Sequence, residues 1–568
     1  MRTYPHHLTT DLPELPVPHL DESLERYRTA SAALYDPEGE ADVNQALADF
    51  MMGFAPALQQ TLEDYAGAMA VSGSNWLAEQ WLERYLRNRQ PLQATTNVTY
   101  QLNLSTGTTG VERIVELIQR IGSIHILQAR RATPAELDTQ GRRLTMDPWV
   151  EFNGGIRTPA LGEDLWMRAG TGATYRTIGV LYRGRMWEVP LTGSQGKLLD
   201  AAQLRASLET VLATAEPAAQ NFTAFSALGS EVLSLAAPWN LEENRSMYNR
   251  LVNMLFTLTL DPQPTDELDT LRRWAFEPGN AWVYKPISYL VALDSDLVAA
   301  HVEHSVLEAG TLATAVARMQ AVDPQTLETQ PDPHVTAPQE LVWHGVDYDP
   351  AEIGTPAETL RMQRVVVRRD EDLPYPMSFE TAAQLILTIG QLLTYGSIRA
   401  QAQPCDMRHF RAGRSDIIRP VTVEAVNFVT AVVQGQATTE QFAAALTAHR
   451  DWVRAAQSGK VFDRHLLMLE HIAQELGGAD ADFFTKHTKA REHFLMTTTA
   501  DSTAVIIRSL FAPADEAGFG ISYAPVPDGI EFTLTWSDST PRPEAFLGNL
   551  QPAADLLYNF TRSLGSTE

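Results

Sequence analysis

Residues 287–310 read ISYLVALDSDLVAAHVEHSVLEAG, and two β-rich runs within them, Ile287–Leu293 and Leu297–Val302, flank the turn Asp294-Ser295-Asp296. Branched and aromatic side chains bounded by Asp and Ser are strand and hairpin signals. The second run leads into Glu303-His304-Ser305, with Glu308 and Gly310 behind it. The pattern predicts a hairpin that delivers one histidine to a strand end, with a carboxylate four positions on. Histidine suits proton transfer because its ordinary pKa lies near ~6.5, and a neighbouring carboxylate can fix its tautomer. His304 is therefore a candidate general base. The competing reading, a hydrogen-bonded polar residue with no task, stays open on this segment alone. His301 and His304 are not read as a metal pair, since residues three apart on a strand point to opposite faces.

Outward from this hairpin, helical patterning covers Asp21–Ala33 and Asp42–Met69, behind a proline-paced lead-in at Leu12–Leu20. Trp76, Leu77, Trp81 and Tyr85 recur at helical spacing within Ser74–Leu92, a stripe expected to pack in a core. Further helices are predicted at Gly110–Ile118, Asp200–Ala215 and Glu243–Leu258, and a second hairpin at Arg176–Thr192 turns at Arg183-Gly184. Val322–Pro356, rich in Pro, Asp and Thr, is the linker candidate. Beyond it follow a strand (Arg364–Val367), a long helix (Phe379–Ala402), helices across Val423–Glu475, and strands at Gly520–Ala524 and Ile530–Trp536 separated by Pro527-Asp528-Gly529. Helices plus turn-linked strands in each half predict two related α/β layers. The expected division is a helical segment (1–90) packing with the C-terminal part, an α/β domain (91–345) carrying the histidine, and a second α/β domain (346–568).

The 568 residues are too many for one ordinary core, and 44% hydrophobic with 20% charged residues describes a globular chain. No apolar run approaches the ~18 residues of a membrane span. The first residues match neither a signal peptide nor a transit peptide, and the last four, GSTE, are no peroxisomal tripeptide; a cytoplasmic monomer is expected. A net charge of −26 argues against nucleic acid as partner. One cysteine, Cys405, excludes a disulfide framework, and neither HExxH nor a phosphate-binding P-loop occurs, so no metal is expected. Positive charge concentrates in two runs, Arg361/Arg364/Arg368/Arg369 and Arg408/Arg411/Arg414, either anion-binding or merely solvated faces.

Six stretches together resemble the choline/carnitine acyltransferase family. They are the lead-in LPELPVPHLDESLERY, the Trp-rich NWLAEQWLERYLRNRQPL, the histidine hairpin, FRAGRSDIIRP (410–420), VFDRHLLMLE (461–470), and TTTADSTAV followed by GFGISYAP. They run in family order across nearly the whole chain. The resemblance implies two chloramphenicol-acetyltransferase-like α/β domains with an active-site tunnel between them. It implies acyl transfer between acyl-CoA, a substrate and no permanent cofactor, and a hydroxyl acceptor, with His304 acting directly as base. It also implies that Glu308 orients the ring and that Thr499 donates to the oxyanion.

Acceptor contacts carried over from the family fall on Arg464, Ser415, Thr497 and Phe511. Arg464 stands where choline enzymes have Asn, which points to carnitine or a related carboxylate-bearing alcohol. Ala402 replaces the family tyrosine, so such a carboxylate loses one hydrogen bond here. The coenzyme A contacts fall on Arg368, Arg369 and Glu380, with Leu373 in place of a second lysine. Ser509 occupies the acyl-pocket gate, and its small size predicts medium-chain or longer donors over acetyl. An acyltransferase for another metabolite, using acyl-CoA or a carrier-protein donor, and an inactive acyl-CoA-binding relative remain the alternatives.

Overall fold

The computed structural model describes residues 11–172, 174–235, 238–346, 359–368, 377–477, 481–499 and 505–565. Alternating β-branched and aromatic residues assemble into two large sheets. The first has eight strands in the order β14 (Ile506–Leu510), β1 (Val98–Leu102), β8 (Val298–Val302), β7 (Ile287–Ala292), β6 (Thr257–Asp261), β4 (Thr177–Tyr182), β5 (Arg185–Pro190) and β9 (Gln339–Leu341). The second has six, in the order β10 (Leu360–Arg368), β16 (Gly529–Ser537), β15 (Phe519–Val526), β13 (Leu495–Thr499), β11 (Gln401–Asp406) and β12 (Ser415–Ile418). A two-stranded ribbon, β2 (Ile156–Thr158) with β3 (Leu165–Met167), completes the β-structure among the described residues. The fold is mixed α/β, as the pattern predicted.

The two hairpins form as expected. β7 and β8 pair antiparallel with Ile287 opposite Val302, and β4 and β5 turn at Arg183-Gly184, both with positive φ. The predicted helix Glu243–Leu258 is a correction: it ends at Asn253, and Thr257–Asp261 form strand β6, buried at every position. The predicted helix Phe379–Ala402 is a second correction. It ends at Tyr395 because Gly396 takes a left-handed C-cap (φ 70°), and Gln401–Asp406 continue as strand β11. The Asp42–Met69 pattern likewise splits at Gly53 into Pro37–Met52 and Ala55–Val71. Within the linker candidate, β9 seals one edge of the first sheet, and residues 347–358 lie outside those described.

One strand crosses between the halves. β14 comes late in the chain yet pairs with β1, Tyr100 facing Ser509 across the ladder. Arg508 locks this crossing: it donates to Gln101 Oε1 at 2.5 Å and pairs with Glu531 of β16 and with Glu267. The four N-terminal helices (Leu20–Ala32, Pro37–Met52, Ala55–Val71, Ala78–Leu86) share an apolar cluster with Trp452, Leu466 and Leu469 from the C-terminal part. His465 sits inside this cluster, bonded to Ser23 Oγ at 2.7 Å and Gln59 Oε1 at 2.8 Å, and packs rather than catalyses.

Candidate active site

His304 lies two residues past the end of β8, and fully buried charges below it fix that exit. Glu303 accepts from Arg157 at 3.0 Å, and Arg157 also binds Asp164 at 2.7 Å; all three side chains are buried. Glu303 also takes the Ser305 hydroxyl, so the backbone is anchored on both sides of the histidine. His304 itself remains 24% exposed, enough to meet a substrate. Its ring Nδ1–H donates to the Leu307 carbonyl at 2.9 Å, which leaves Nε2 as an acceptor. The Tyr85 ring meets the imidazole edge to face at 6.2 Å, a contact the helical stripe concealed because Tyr85 reads there as core.

Ring orientation therefore comes from a backbone carbonyl and not, as expected, from Glu308. The Glu308 carboxylate stands 3.9 Å from Nε2, beyond hydrogen-bond range. Arg414 holds it instead, donating through Nε at 2.6 Å, with its other nitrogens on the Ser305 carbonyl (2.6 Å) and the His304 carbonyl (3.0 Å). Burial works to raise the Glu308 carboxyl, but Arg414 and His304 outweigh it and keep the pKa below the ordinary value. Glu308 is thus an anion beside the ring. The sequence puts Arg414 in a basic run and in the FRAGRSDIIRP stretch, but gives it no partner.

The rest of that run is internal as well. Arg408 pairs with Glu136 at 2.5 Å and Asp406 at 2.8 Å, and Arg411 meets Glu14. The glycines of these motifs have steric reasons. A Cβ on Gly310 would lie 2.2 Å from the Arg408 guanidinium, and one on Gly413 would lie 2.0 Å from the Met407 carbonyl oxygen. In the first run, Arg361 pairs with Asp538 and Arg364 with Glu531. Arg368 is exposed at the end of β10, while Arg369 and Leu373 lie outside the described residues. Glu380 sits in the first turn of the helix Phe379–Tyr395, its pKa raised by burial.

Arg464 projects from the helix Asp463–Glu475, its guanidinium 4.4 Å from the centre of the Trp81 ring and its Nε donating to the Ser415 carbonyl at 3.1 Å. Arg414 approaches the same Trp81 ring at 5.3 Å, so one indole joins the histidine's support to Arg464. Arg464 opens on a cavity of about 600 Å³ lined also by Arg84, Asp463, Arg491 and His493. Burial and the surrounding arginines pull the His493 pKa down to about 2, so it stays neutral there. Asp416, paired across the strands with Cys405, is buried, and burial pushes its carboxyl up to about 7.

Thr497 departs from the expected acceptor role. It is buried, accepts from Gln384 Nε2 at 2.9 Å and donates to the Ala402 carbonyl at 3.2 Å, so its hydroxyl is spent inside the fold. Thr499, two residues on, shares that face by strand alternation, is half-buried, and pairs with Tyr523. Phe511 follows β14 and packs against the large apolar cluster of the first sheet. His301, the other hairpin histidine, is buried between Asn97 Nδ2 (2.9 Å) and Thr99 Oγ1 (3.0 Å), and burial lowers its pKa to about 4. No group of three or more metal-ligating side chains occurs among the described residues.

His304 thus stands at a strand exit with Nε2 open and the Glu308 anion at its flank, an arrangement able to move a proton. The chain belongs to the choline/carnitine O-acyltransferase family, whose model matches residues 15–366 and 372–552. It is similar to carnitine O-acetyltransferase of Rattus norvegicus, 25% identical over 92% of this chain and 89% of the relative. It is also similar to mitochondrial carnitine O-palmitoyltransferase 2 of Bos taurus, 22% identical over 91% and 87%. Among solved structures, the condensation enzyme VibH overlaps 86% of this chain and 96% of its own at 9% identity, with a TM-score of 0.38. No helix among the described residues is long and apolar enough to cross a membrane.

Proposed function

We propose that this protein transfers an acyl group between coenzyme A and the hydroxyl of carnitine or a related carboxylate-bearing alcohol, with His304 as the general base. The observation that carries the reading is the His304 hydrogen bond to the Leu307 carbonyl, which fixes the tautomer with Nε2 unprotonated and open. Nε2 takes the acceptor's hydroxyl proton as its oxygen attacks the thioester carbonyl. The tetrahedral intermediate collapses by breaking the carbon–sulfur bond, and the proton on Nε2 passes to the departing thiolate. No enzyme nucleophile is needed. The Glu308 carboxylate, held by Arg414, stabilises the imidazolium formed midway.

Thr499 is assigned the oxyanion, where losing one donor typically costs ~10²–10³ in rate. Arg464 and Ser415 are assigned to the acceptor's anionic end, Phe511 to the acceptor's apolar side, and Arg368, Arg369 and Glu380 to coenzyme A. Thr497, its hydroxyl spent on Gln384 and the Ala402 carbonyl, is left out of the acceptor set. The single cysteine, Cys405, is free and buried, in keeping with a cytoplasmic enzyme of acyl metabolism.

Thiol release from acyl-CoA with carnitine, choline and other hydroxy compounds tests the reading. His304→Ala should lose at least ~10² of the rate while keeping its fold. A folded His304→Ala variant with near-normal turnover would refute the assignment.

A further inference from the structure

The register of the first sheet sets one large side chain between two small ones beside the catalytic loop. Tyr100 of β1 faces Ser509 of β14 on one flank and Ala300 of β8 on the other. Residues paired directly across strands share a face with their Cβ atoms about 4.5–5.5 Å apart. Tyr100 and Ser509 are only 3% and 4% exposed. Tyr100 belongs to the same apolar cluster as Leu307, whose carbonyl holds the His304 ring, so the cluster begins at the catalytic loop.

Tyr100 and His304 share charged neighbours. The groups acting electrically on Tyr100 are Glu308, Tyr85 and Arg414, the same groups that surround His304. Its hydroxyl makes no hydrogen bond among the described residues. A thioester whose carbonyl lies beside Nε2 must send its acyl tail out of the polar loop into apolar surroundings. The row Ser509–Tyr100–Ala300 lies on that route, and Tyr100 is the only bulky member of the three.

The geometry points to Tyr100 as the residue that closes the acyl pocket, its ring filling the space that Ser509 and Ala300 leave and limiting donors to short acyl groups such as acetyl. The small Ser509 alone suggested an open channel for longer chains; the opposing strand supplies the bulk. The inference rests on the acyl-transfer reading and deepens it.

The test compares kcat/KM for acetyl-, butyryl- and octanoyl-CoA with carnitine as acceptor. Wild type should favour acetyl over octanoyl. Each methylene that gains a buried site strengthens binding about fourfold, so Tyr100→Ala should raise the octanoyl/acetyl ratio by at least ~10-fold. Tyr100→Phe, which keeps the ring, should leave the ratio at the wild-type value, and Ser509→Met in the Tyr100→Ala background should close the pocket again. If Tyr100→Ala fails to fold, Tyr100→Leu removes the outer half of the ring and carries the same comparison. An unmoved ratio in the folded variant, or a wild type that prefers octanoyl, overturns the role of Tyr100 while acyl transfer stands. A wild type that turns over no acyl-CoA with any acceptor overturns acyl transfer itself, and the pocket with it.

Discussion

Replacing Arg414 with alanine removes three hydrogen bonds at once, to Glu308, to the Ser305 carbonyl and to the His304 carbonyl. The Arg414 and Glu308 side chains are 12% and 13% exposed, so the pair is largely desolvated. Breaking one partner of a buried pair costs ~3–5 kcal/mol, chiefly through the charge left behind. Residual solvent access puts the expected loss here near the lower end, ~3 kcal/mol. The catalytic loss should fall on kcat, because the freed Ser305–Leu307 loop carries the carbonyl that holds His304. Misplacement by about 1 Å is enough for ~10² in rate. Arg414→Lys keeps the charge but not the fork and should fall between the two.

The pH dependence should also weaken. In the wild type the depressed Glu308 pKa gives stability that is full above the ordinary carboxylate range and is lost as pH falls through the folded value. In Arg414→Ala the largest opposing charge is gone and only His304 and Arg408 still act against burial, so the Glu308 pKa rises and the stability it gives above the carboxylate range shrinks. Thermal unfolding across pH, with thiol-release kinetics, reads both effects. Glu308→Gln added to Arg414→Ala should recover stability by removing the stranded charge. An Arg414→Ala enzyme with wild-type melting and wild-type kcat would refute this account of the loop.

Other outcomes follow from the same geometry. Arg464→Asn should raise KM for a carboxylate-bearing acceptor by the equivalent of ~1.5–3 kcal/mol and leave choline much less affected; equal effects on both would exclude an anionic acceptor. Glu303→Ala removes one of two buried carboxylates from Arg157, which keeps Asp164, and should cost ~1.5–3 kcal/mol in denaturant unfolding, with a wild-type midpoint as the contrary result. Burial raises Asp416 to about 7, so the folded state holds its proton more tightly and stability falls as pH climbs from ~4 to 7. Asp416→Asn should flatten that decline, gaining at most roughly 4 kcal/mol at pH 8; an unchanged pH profile would mean the carboxyl is not strained there.

Strand patterning around Asp294-Ser295-Asp296 determined the hairpin that carries His304, because side-chain preference and turn chemistry are written in a few neighbouring residues. The motifs placed His304, Glu308 and Arg464 in one family, and the fold brings them around a shared support, Arg414 and Trp81. What the arginines do was not legible. A guanidinium finds its carboxylate through space, so Arg408 with Glu136 and Arg414 with Glu308 left no spacing to read. β14 was invisible for a related reason. Its pairing with β1 joins Ser509 to Tyr100 across some four hundred residues, and only the closed sheet decides which side chain stands opposite the small serine. Thr497 shows the same limit at one atom: a threonine run is legible, but which hydroxyl is spent on Gln384 follows from the helix packed over it. Local pattern fixed the elements and the chemistry they could carry; burial across distant segments fixed which of those groups stayed free to use it.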